Sequence, residues 1–296
     1  MKYKCLLLFS GGLDSILAAK ILEESGVKVT PICFKSFFFS CEQAQKSAKI
    51  IGFKLRVEDI SDIHLRMIKN PKHGRGKGLN PCIDCHLLMI KTAGKIMKKE
   101  GFDFIATGEV LGQRPMSQNI NALKIIDKEA KLNGLIVRPL SAKLLPPTIW
   151  GDGKYSISGK SRDGQIKLAK KFKIKKYPNP AGGCILTDAN YSDNLKRLID
   201  IKPSFSGNDV LLLREGRVFW KNDLLIIVAR NEKESNELIK FKKIGDVVLA
   251  PDNFPGPTVF IRKYKKSSQE EMIDCAVKYI TKYSKNITLS PSLKFL

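Results

Sequence analysis

The sequence predicts an α/β fold: a parallel sheet with helices on both faces, followed by a smaller α+β module. Three observations carry that expectation. Short apolar runs alternate with amphipathic stretches over roughly the first 190 residues. Such alternation builds parallel strands joined by covering helices. The pattern changes after about residue 190 to short strand-like runs separated by polar turns. Hydrophobic residues make up 43% of the 296 residues, enough for a substantial core.

The elements are expected in this order. Lys4 to Phe9 reads as a buried strand, and Asp14 to Ser25 as a helix with Leu13, Leu17 and Ile21 on one face. Val27 to Phe34 is a second strand. Cys41 to Ile51 is a second helix, with Ser40 placed to cap it. Lys54 to Ile60 is a third strand. A loop from Asn70 to Pro81 precedes a helix ending near Glu100, and Asp103 to Thr107 and Leu135 to Leu140 read as further strands. These elements define a first domain, 1–190. Lys202-Pro203-Ser204 forms the joint to a second, 205–284. There Asp209 to Trp220, Leu224 to Arg230, Asp246 to Ala250 and Thr258 to Arg262 read as strands, and Glu232 to Phe241 and Ser268 to Tyr283 as helices. The residues from about Lys285 read as a loosely held tail.

Lys and Arg outnumber Asp and Glu by 52 to 29, a formal net charge of +23. Such an excess favours a polyanionic partner, because each phosphate contact releases condensed counterions. No apolar run reaches membrane-spanning length, and the apolar run before Ser10 is too short for a secretory leader, so none is expected. The expectation is a cytoplasmic protein without a membrane partner. Its seven Cys are then read as thiols, ligands or catalysts in preference to structural disulfides. Cys5, Cys33, Cys41 and Cys275 read as small core or helix residues.

The strongest local signal is Ser10-Gly11-Gly12-Leu13-Asp14-Ser15, between the first strand and the first helix. Two glycines allow a tight turn whose N–H groups, with the helix dipole, face an anion. Ser10 and Ser15 can donate to phosphate oxygens. Asp14 would repel bare phosphate, so its natural role is to hold Mg²⁺. A second signal is thiol chemistry. Cys82-Ile83-Asp84-Cys85 opens a helix after Asn80-Pro81, and Cys184 sits far away in Pro180-Ala181-Gly182-Gly183-Cys184. Three soft thiolates suit an iron–sulfur cluster or zinc and leave one metal position open. For a structural zinc, His86 and His73 are the candidate fourth ligands. Basic segments flank these motifs: Lys69 to Gly78, which reads as a flexible loop able to close over ATP or to hold RNA; the run from Lys167 to Lys176; and Arg262, Lys263, Lys265 and Lys266 around Tyr264. They are placed to hold a long polyanion through its phosphates.

The loop resembles the SGGxDS signature of the PP-loop ATP pyrophosphatases, a likeness covering roughly residues 1 to 190. That resemblance implies ATP cleaved between its α and β phosphates and a substrate oxygen adenylated. Thr107-Gly108-Glu109-Val110-Leu111-Gly112-Gln113, then Ser117-Gln118 and Arg138-Pro139-Leu140, are similar to the tRNA 4-thiouridine synthases of the ThiI type, with a slightly longer spacing between Gln113 and Ser117. Gly108 is expected to allow close approach of the nucleotide, and Gln113 or Arg114 to contact nucleotide or RNA phosphate. The three Cys resemble the cluster-containing tRNA thiolases, which implies Cys82, Cys85 and Cys184 as ligands of a [4Fe-4S] cluster. The Asn80-Pro81-Cys82 context also resembles the 2-thiouridylases of the MnmA type, where paired Cys carry persulfide and disulfide chemistry. By that route Cys184 would carry a persulfide, with Cys82 or Cys85 resolving it.

Together these resemblances imply an ATP- and Mg²⁺-dependent enzyme that activates a uridine carbonyl of tRNA and replaces its oxygen with sulfur, giving 4-thiouridine. The sulfur donor would be sulfide or a cysteine desulfurase persulfide, and a homodimer is a further expectation. Three alternatives stay open: 2-thiouridine formation, adenylation of a small molecule by the same fold, and a non-catalytic zinc- and RNA-binding protein. ThiI-type enzymes carry an N-terminal ferredoxin-like and THUMP region, whereas this chain begins almost at the loop. The module after residue 190, which resembles the RNA-binding NFACT-R type, is expected to take over that role.

Overall fold

In the computed structural model, residues 3–179, 184–287 and 290–296 are described. The chain divides into two compact units, Met1–Thr187 and Asp188–Leu296.

The first unit is built on a parallel sheet of β1 (Lys4–Leu8), β2 (Lys28–Lys35), β3 (Arg56–Asp59), β4 (Phe104–Thr107) and β5 (Ile136–Val137), in the spatial order β3-β2-β1-β4-β5. All four pairings are parallel. The helices are α1 (Leu13–Glu24), α2 (Glu42–Ile51), α3 (Ser61–Lys69), α4 (Cys82–Glu100), α5 (Ile120–Ala130) and α6 (Asp163–Lys171). Alternate side chains of β1 feed two cores. Cys5, Leu7 and Phe9 pack with α1 and α2, while Leu6 packs with Leu87, Ile90, Ala93 and Met97 of α4. Both faces are therefore apolar, which is why β1 reads as an unbroken hydrophobic run. The sheet order reverses between β1 and β4. The loops leaving those two strands flank the crevice in which open α/β sheets take their ligands.

The second unit contains α7 (Ala189–Ile201), α8 (Gly207–Leu212), β6 (Arg217–Lys221), β7 (Leu224–Val228), α9 (Glu232–Lys240), β8 (Val247–Pro251), β9 (Val259–Lys263), α10 (Gln269–Tyr283) and β10 (Leu293–Phe295). Its sheet is antiparallel, in the order β10-β8-β9-β7-β6. One face packs on α10 through Leu224, Ile226, Val259, Ile261, Met272 and Ala276. No described helix is long and apolar enough to cross a membrane.

Four local expectations are corrected. Asp209 to Trp220 is not one strand: Ser206 and Asp209 form a reciprocal capping box that starts α8, and only Arg217–Lys221 pairs in the sheet. The end of the chain is not loose, since Leu293, Lys294 and Phe295 pair with Pro251, Ala250 and Leu249. Ser40 does not cap α2, whose N-cap is Cys41, with no side-chain cap bond. Finally, Cys33 and Cys41 form a disulfide. A tight turn, closed by paired Ser36 and Phe39, brings the chain back so that their Cα atoms lie 6.0 Å apart.

Candidate active site

Ser10 to Ser15 form the turn from β1 into α1. Gly11 has a φ of +78°, and a Cβ there would stand 2.6 Å from the Gln43 carbonyl oxygen and 2.7 Å from the Ala44 Cα. Only glycine fits, because α2 begins directly against the loop. The Ser47 hydroxyl fixes the contact by donating to the Gly11 carbonyl at 2.7 Å. Ser15 donates to the Gly12 carbonyl at 2.8 Å, and the Gly12 N–H points at Ser10 Oγ over a long 3.4 Å. No side chain caps α1. Its first N–H groups thus sit at the mouth of the crevice with the positive end of the helix dipole, as an anion site requires.

Asp14 faces the loop that follows β4. Gln113 Nε2 donates to Asp14 Oδ2 at 3.0 Å. Gln165 of α6 acts on the same carboxylate from full burial, short of complete hydrogen-bond geometry. Among the described residues, Asp14 Oδ1, Gln113 Oε1 and both polar atoms of Gln165 are buried without a hydrogen-bond partner. Burial raises the Asp14 pKa above the ordinary carboxylate value, and Gln113, Arg162, Gln165 and Arg114 only partly offset it. Orphaned buried oxygens are costly, and around a carboxylate they fit a hard divalent cation. Gly108 proves to serve the protein itself: a Cβ there would lie 2.6 Å from the Ser15 nitrogen, so its bareness lets the β4 loop close on the first turn of α1. Gln113 likewise meets Asp14. Gln165 carried no sequence signal, since it lies in a Lys-rich amphipathic stretch.

The CxxC pair opens α4. Asn80 Nδ2 donates to Cys82 Sγ at 3.1 Å, and His64 Nε2 of α3 lies 3.3 Å from Cys85 Sγ. The His64 ring is fully buried and edge-on to Phe38 and Phe39. Burial pulls its pKa down to about 4, so it is neutral at pH 7. The Cys85 thiol is pushed up by burial, then by the nearby Cys184 and Cys82 sulfurs and by Asp84. Cys184 thus lies within electrostatic reach of Cys85. The backbone explains how: the Leu79 N–H donates to the Leu186 carbonyl at 3.0 Å, joining the segment before Cys82 to the turn after Cys184. Pro180 to Gly183, expected as a glycine loop leading into Cys184, lies outside the described residues. Among the described residues no group of three or more His, Cys, Asp or Glu stands in metal-holding geometry. The donor set remains chemically suited to a soft metal.

His73 and His86 point elsewhere: His73 Nε2 lies 3.1 Å from Glu129, and His86 Nδ1 lies 2.7 Å from Glu109. His64, which sequence reasoning missed, is the histidine at the thiols. Glu109 is fully buried, and its Oε2 accepts from Arg138 Nε at 2.8 Å. Arg138 also grips Asp127 with both terminal nitrogens. Burial opposes Glu109 ionisation, yet the Arg138 charge and the His86 contact outweigh it and hold the pKa down at about 2. This network ties α4, β4, α5 and β5 together around the crevice. The basic segment Lys69 to Gly78 is pinned, contrary to its expected freedom. The Lys72 and His73 N–H groups donate to the Asp84 carboxylate, and Arg75 donates to the Ile68 carbonyl at 2.8 Å. Arg262 is no surface contact either: it is buried on Asp209 and Asp246.

Residues 1–143 match the family model described as thiamine biosynthesis protein (ThiI), and residues 216–290 match that of the NFACT protein RNA binding domain. A tRNA-specific 2-thiouridylase MnmA of Caldicellulosiruptor saccharolyticus is 25% identical over 279 residues, 85% of this chain and 74% of that protein. A probable tRNA sulfurtransferase of Alkaliphilus metalliredigens is 29% identical over 143 residues, 47% of this chain but 36% of that protein. A solved 4-thiouridine synthetase–RNA complex with bound ATP has a TM-score of 0.42 and 22% identity, covering 71% of this chain and 52% of that one. These matches bear out the resemblance to tRNA thiolation enzymes of the ThiI and MnmA types.

Proposed function

We propose that this chain, with its ThiI-type PP-loop unit and its NFACT-type second unit, is an ATP-dependent tRNA sulfurtransferase that makes 4-thiouridine in the cytoplasm. The observation that supports it best is the pairing, in one unit, of an uncapped helix N-terminus beside the orphaned Asp14 Oδ1 with a CxxC pair opening α4, to which the Leu79–Leu186 bond joins the turn after Cys184. The N–H groups of Gly12 to Asp14 would receive the ATP phosphates, and Ser10 and Ser15 would donate to their oxygens. Asp14, with the Gln113 and Gln165 amides, would hold Mg²⁺, which supplies charge neutralisation. A uridine turned out of its stack presents its carbonyl oxygen to the α phosphorus. A new O–P bond forms, the bond between the α phosphorus and the bridging oxygen breaks, and pyrophosphate leaves with the electron pair. Sulfur then attacks the same ring carbon, and AMP departs with the original oxygen. The protein's part is alignment and charge neutralisation.

Cys82, Cys85 and Cys184 would hold a [4Fe-4S] cluster, whose open iron would supply a position for sulfide. His64 and Asn80 set the thiols in place. A second reading, a persulfide on Cys184 with 2-thiouridine as product, draws on the MnmA relative that spans 85% of this chain. The donor, sulfide or a desulfurase persulfide, and a homodimeric state belong to the same proposal.

Anaerobically reconstituted protein incubated with ATP, tRNA and sulfide tests it. The expected result is AMP, pyrophosphate and thionucleoside in equal amounts, with 4-thiouridine found in the digested RNA. Iron and acid-labile sulfide near about four per chain, lost in Cys82→Ala, support the cluster. Thionucleoside formed without iron when a desulfurase persulfide replaces sulfide as donor, with a thiol reductant present to reopen the Cys184 disulfide, shifts the reading to the persulfide. Absence of any adenylated RNA from iron-replete protein overturns the sulfurtransferase.

A further inference from the structure

Trp220 lies near the end of the edge strand β6. Its neighbour Phe219 packs on Tyr279 of α10 with ring centroids 5.0 Å apart, so strand alternation turns Trp220 to the opposite face of the sheet. There the indole N–H donates to Asn194 Oδ1 of α7 at 2.9 Å, and the Arg197 guanidinium lies 5.4 Å from the indole centroid. Tyr264, just beyond β9, places its ring 6.0 Å from Trp220 at an inclination of 31°. Its hydroxyl lies 3.2 Å from Asp209 Oδ1, and Lys202 Nζ stands 5.3 Å from its centroid. Asp209 is fully buried and ion-paired with Arg262, so the anchor of Tyr264 is rigid. Both rings remain half-exposed, as does Lys202, and Arg197 is exposed.

Two aromatic faces, each fixed at its polar tip and each attended by a cation, are what unpaired nucleotides bind: the rings take bases and the cations take the flanking phosphates. A closed duplex hides its base faces and has no use for them. We propose that Trp220 and Tyr264, with Arg197 and Lys202, form a stacking platform for unpaired nucleotides of the RNA substrate. The inference rests on the reading of RNA as the partner and sharpens it. It also extends the RNA-facing surface to α7, which precedes the stretch matching the RNA-binding family model. The rival is that the rings merely glue α7 to the sheet.

The chain has two Trp, so full-length Trp150→Phe leaves Trp220 as the only indole. This protein is titrated with labelled single-stranded heptauridylate and, separately, with a fully paired hairpin RNA, following anisotropy of the label and Trp220 emission together. The expected result is saturable quenching by the single strand and none by the hairpin. Trp220→Leu should weaken single-strand binding about tenfold, within the range seen when a base loses an aromatic partner. Arg197→Ala, at an exposed position, should weaken it several-fold and lower the salt slope by about one. Bound strand with unchanged Trp220 emission, or equal quenching by the hairpin, overturns the platform. If Trp220→Leu fails to fold, the emission readout and Arg197→Ala decide. Quenching in a protein that forms no thionucleoside would sink the sulfurtransferase and spare the platform. Sulfur transfer without quenching would do the reverse.

Discussion

Glu109 and Asp14 are both carboxylates lodged in the crevice of the first unit, and their surroundings push them in opposite directions. Glu109 is compensated: Arg138 and His86 hold its pKa far below its unfolded value. A depressed carboxylate contributes stability that is present above its unfolded pKa, about 4.5, and is lost as pH falls through about 2. Glu109→Gln leaves the Arg138 charge buried with Asp127 as its remaining partner. Removing one member of a buried pair costs about 3–5 kcal/mol. Urea unfolding followed by Trp150 emission in Trp220→Phe protein should show that loss at pH 7, and a smaller loss near pH 3. Asp14 is uncompensated, with a raised pKa and an orphaned oxygen. Its contribution to stability is present below its unfolded pKa, near 3.8, and is lost as pH rises through the folded value, so the ionised form is a net cost at pH 7. Asp14→Asn removes that charge and keeps an oxygen to accept from Gln113 Nε2. It should raise stability by up to about 1 kcal/mol while abolishing adenylation, the usual trade between activity and stability. An inactive variant that is also less stable would show that Asp14 is structural.

At the scale of elements, the site is set by how closely backbones approach. Gly108 and Gly94 both have close neighbours, but of different kinds. A Cβ on Gly108 meets the Ser15 nitrogen at 2.6 Å and the Asp14 carbonyl carbon at 2.8 Å, both main-chain atoms that cannot turn away. A Cβ on Gly94 meets the tip of the Leu132 side chain at 2.7 Å, which can rotate. Gly108→Ala should therefore part the β4 loop from α1, costing about 1–3 kcal/mol and most of the ATP affinity. Gly94→Ala, inside α4, gains roughly 0.5–1 kcal/mol of helix preference and should come out close to neutral. Equal losses in both variants, measured by urea midpoint and ATP titration, would refute this distinction. The same scale explains what the sequence shows and hides. The turn from β1 into α1 is legible because an apolar run, two glycines and an amphipathic helix are contiguous. The joining of the turn after Cys184 to the segment before the CxxC helix depends on a bond from Leu79 to Leu186, more than a hundred residues apart, which no local pattern announces. Helix α3 escaped notice because it buries only His64, Leu65 and Ile68, too faint a stripe to stand out, and His64 escaped with it. Val210 to Leu213 is an apolar run that periodicity cannot assign to helix or strand; the capping box before it decides.

For the whole molecule the governing fact is a net charge of +23, yet that charge is not all available to a polyanion. Arg138 and Arg262 are spent on buried carboxylates, and Lys72 and Lys171 lie on Glu129 and Glu24 at the surface. Exposed pairs of that second kind are worth little and can be traded for phosphate, whereas the buried ones cannot. Binding of tRNA should then fall steeply with salt. Six to ten phosphate contacts would lose about 10³- to 10⁵-fold in affinity between about 50 and 200 mM. The variants should separate by class. Lys171→Gln, at the surface, should lower the log–log slope by at most about one and leave unfolding unchanged. Arg262→Met should leave the slope of the folded protein intact, because that guanidinium already faces Asp209 and Asp246. It should instead destabilise the second unit by about 3–5 kcal/mol, read from Trp220 emission in Trp150→Phe protein. A shallower salt slope from Arg262→Met with unchanged stability would mean that the buried cluster opens to meet RNA, and the division between structural and RNA-facing charge would fail.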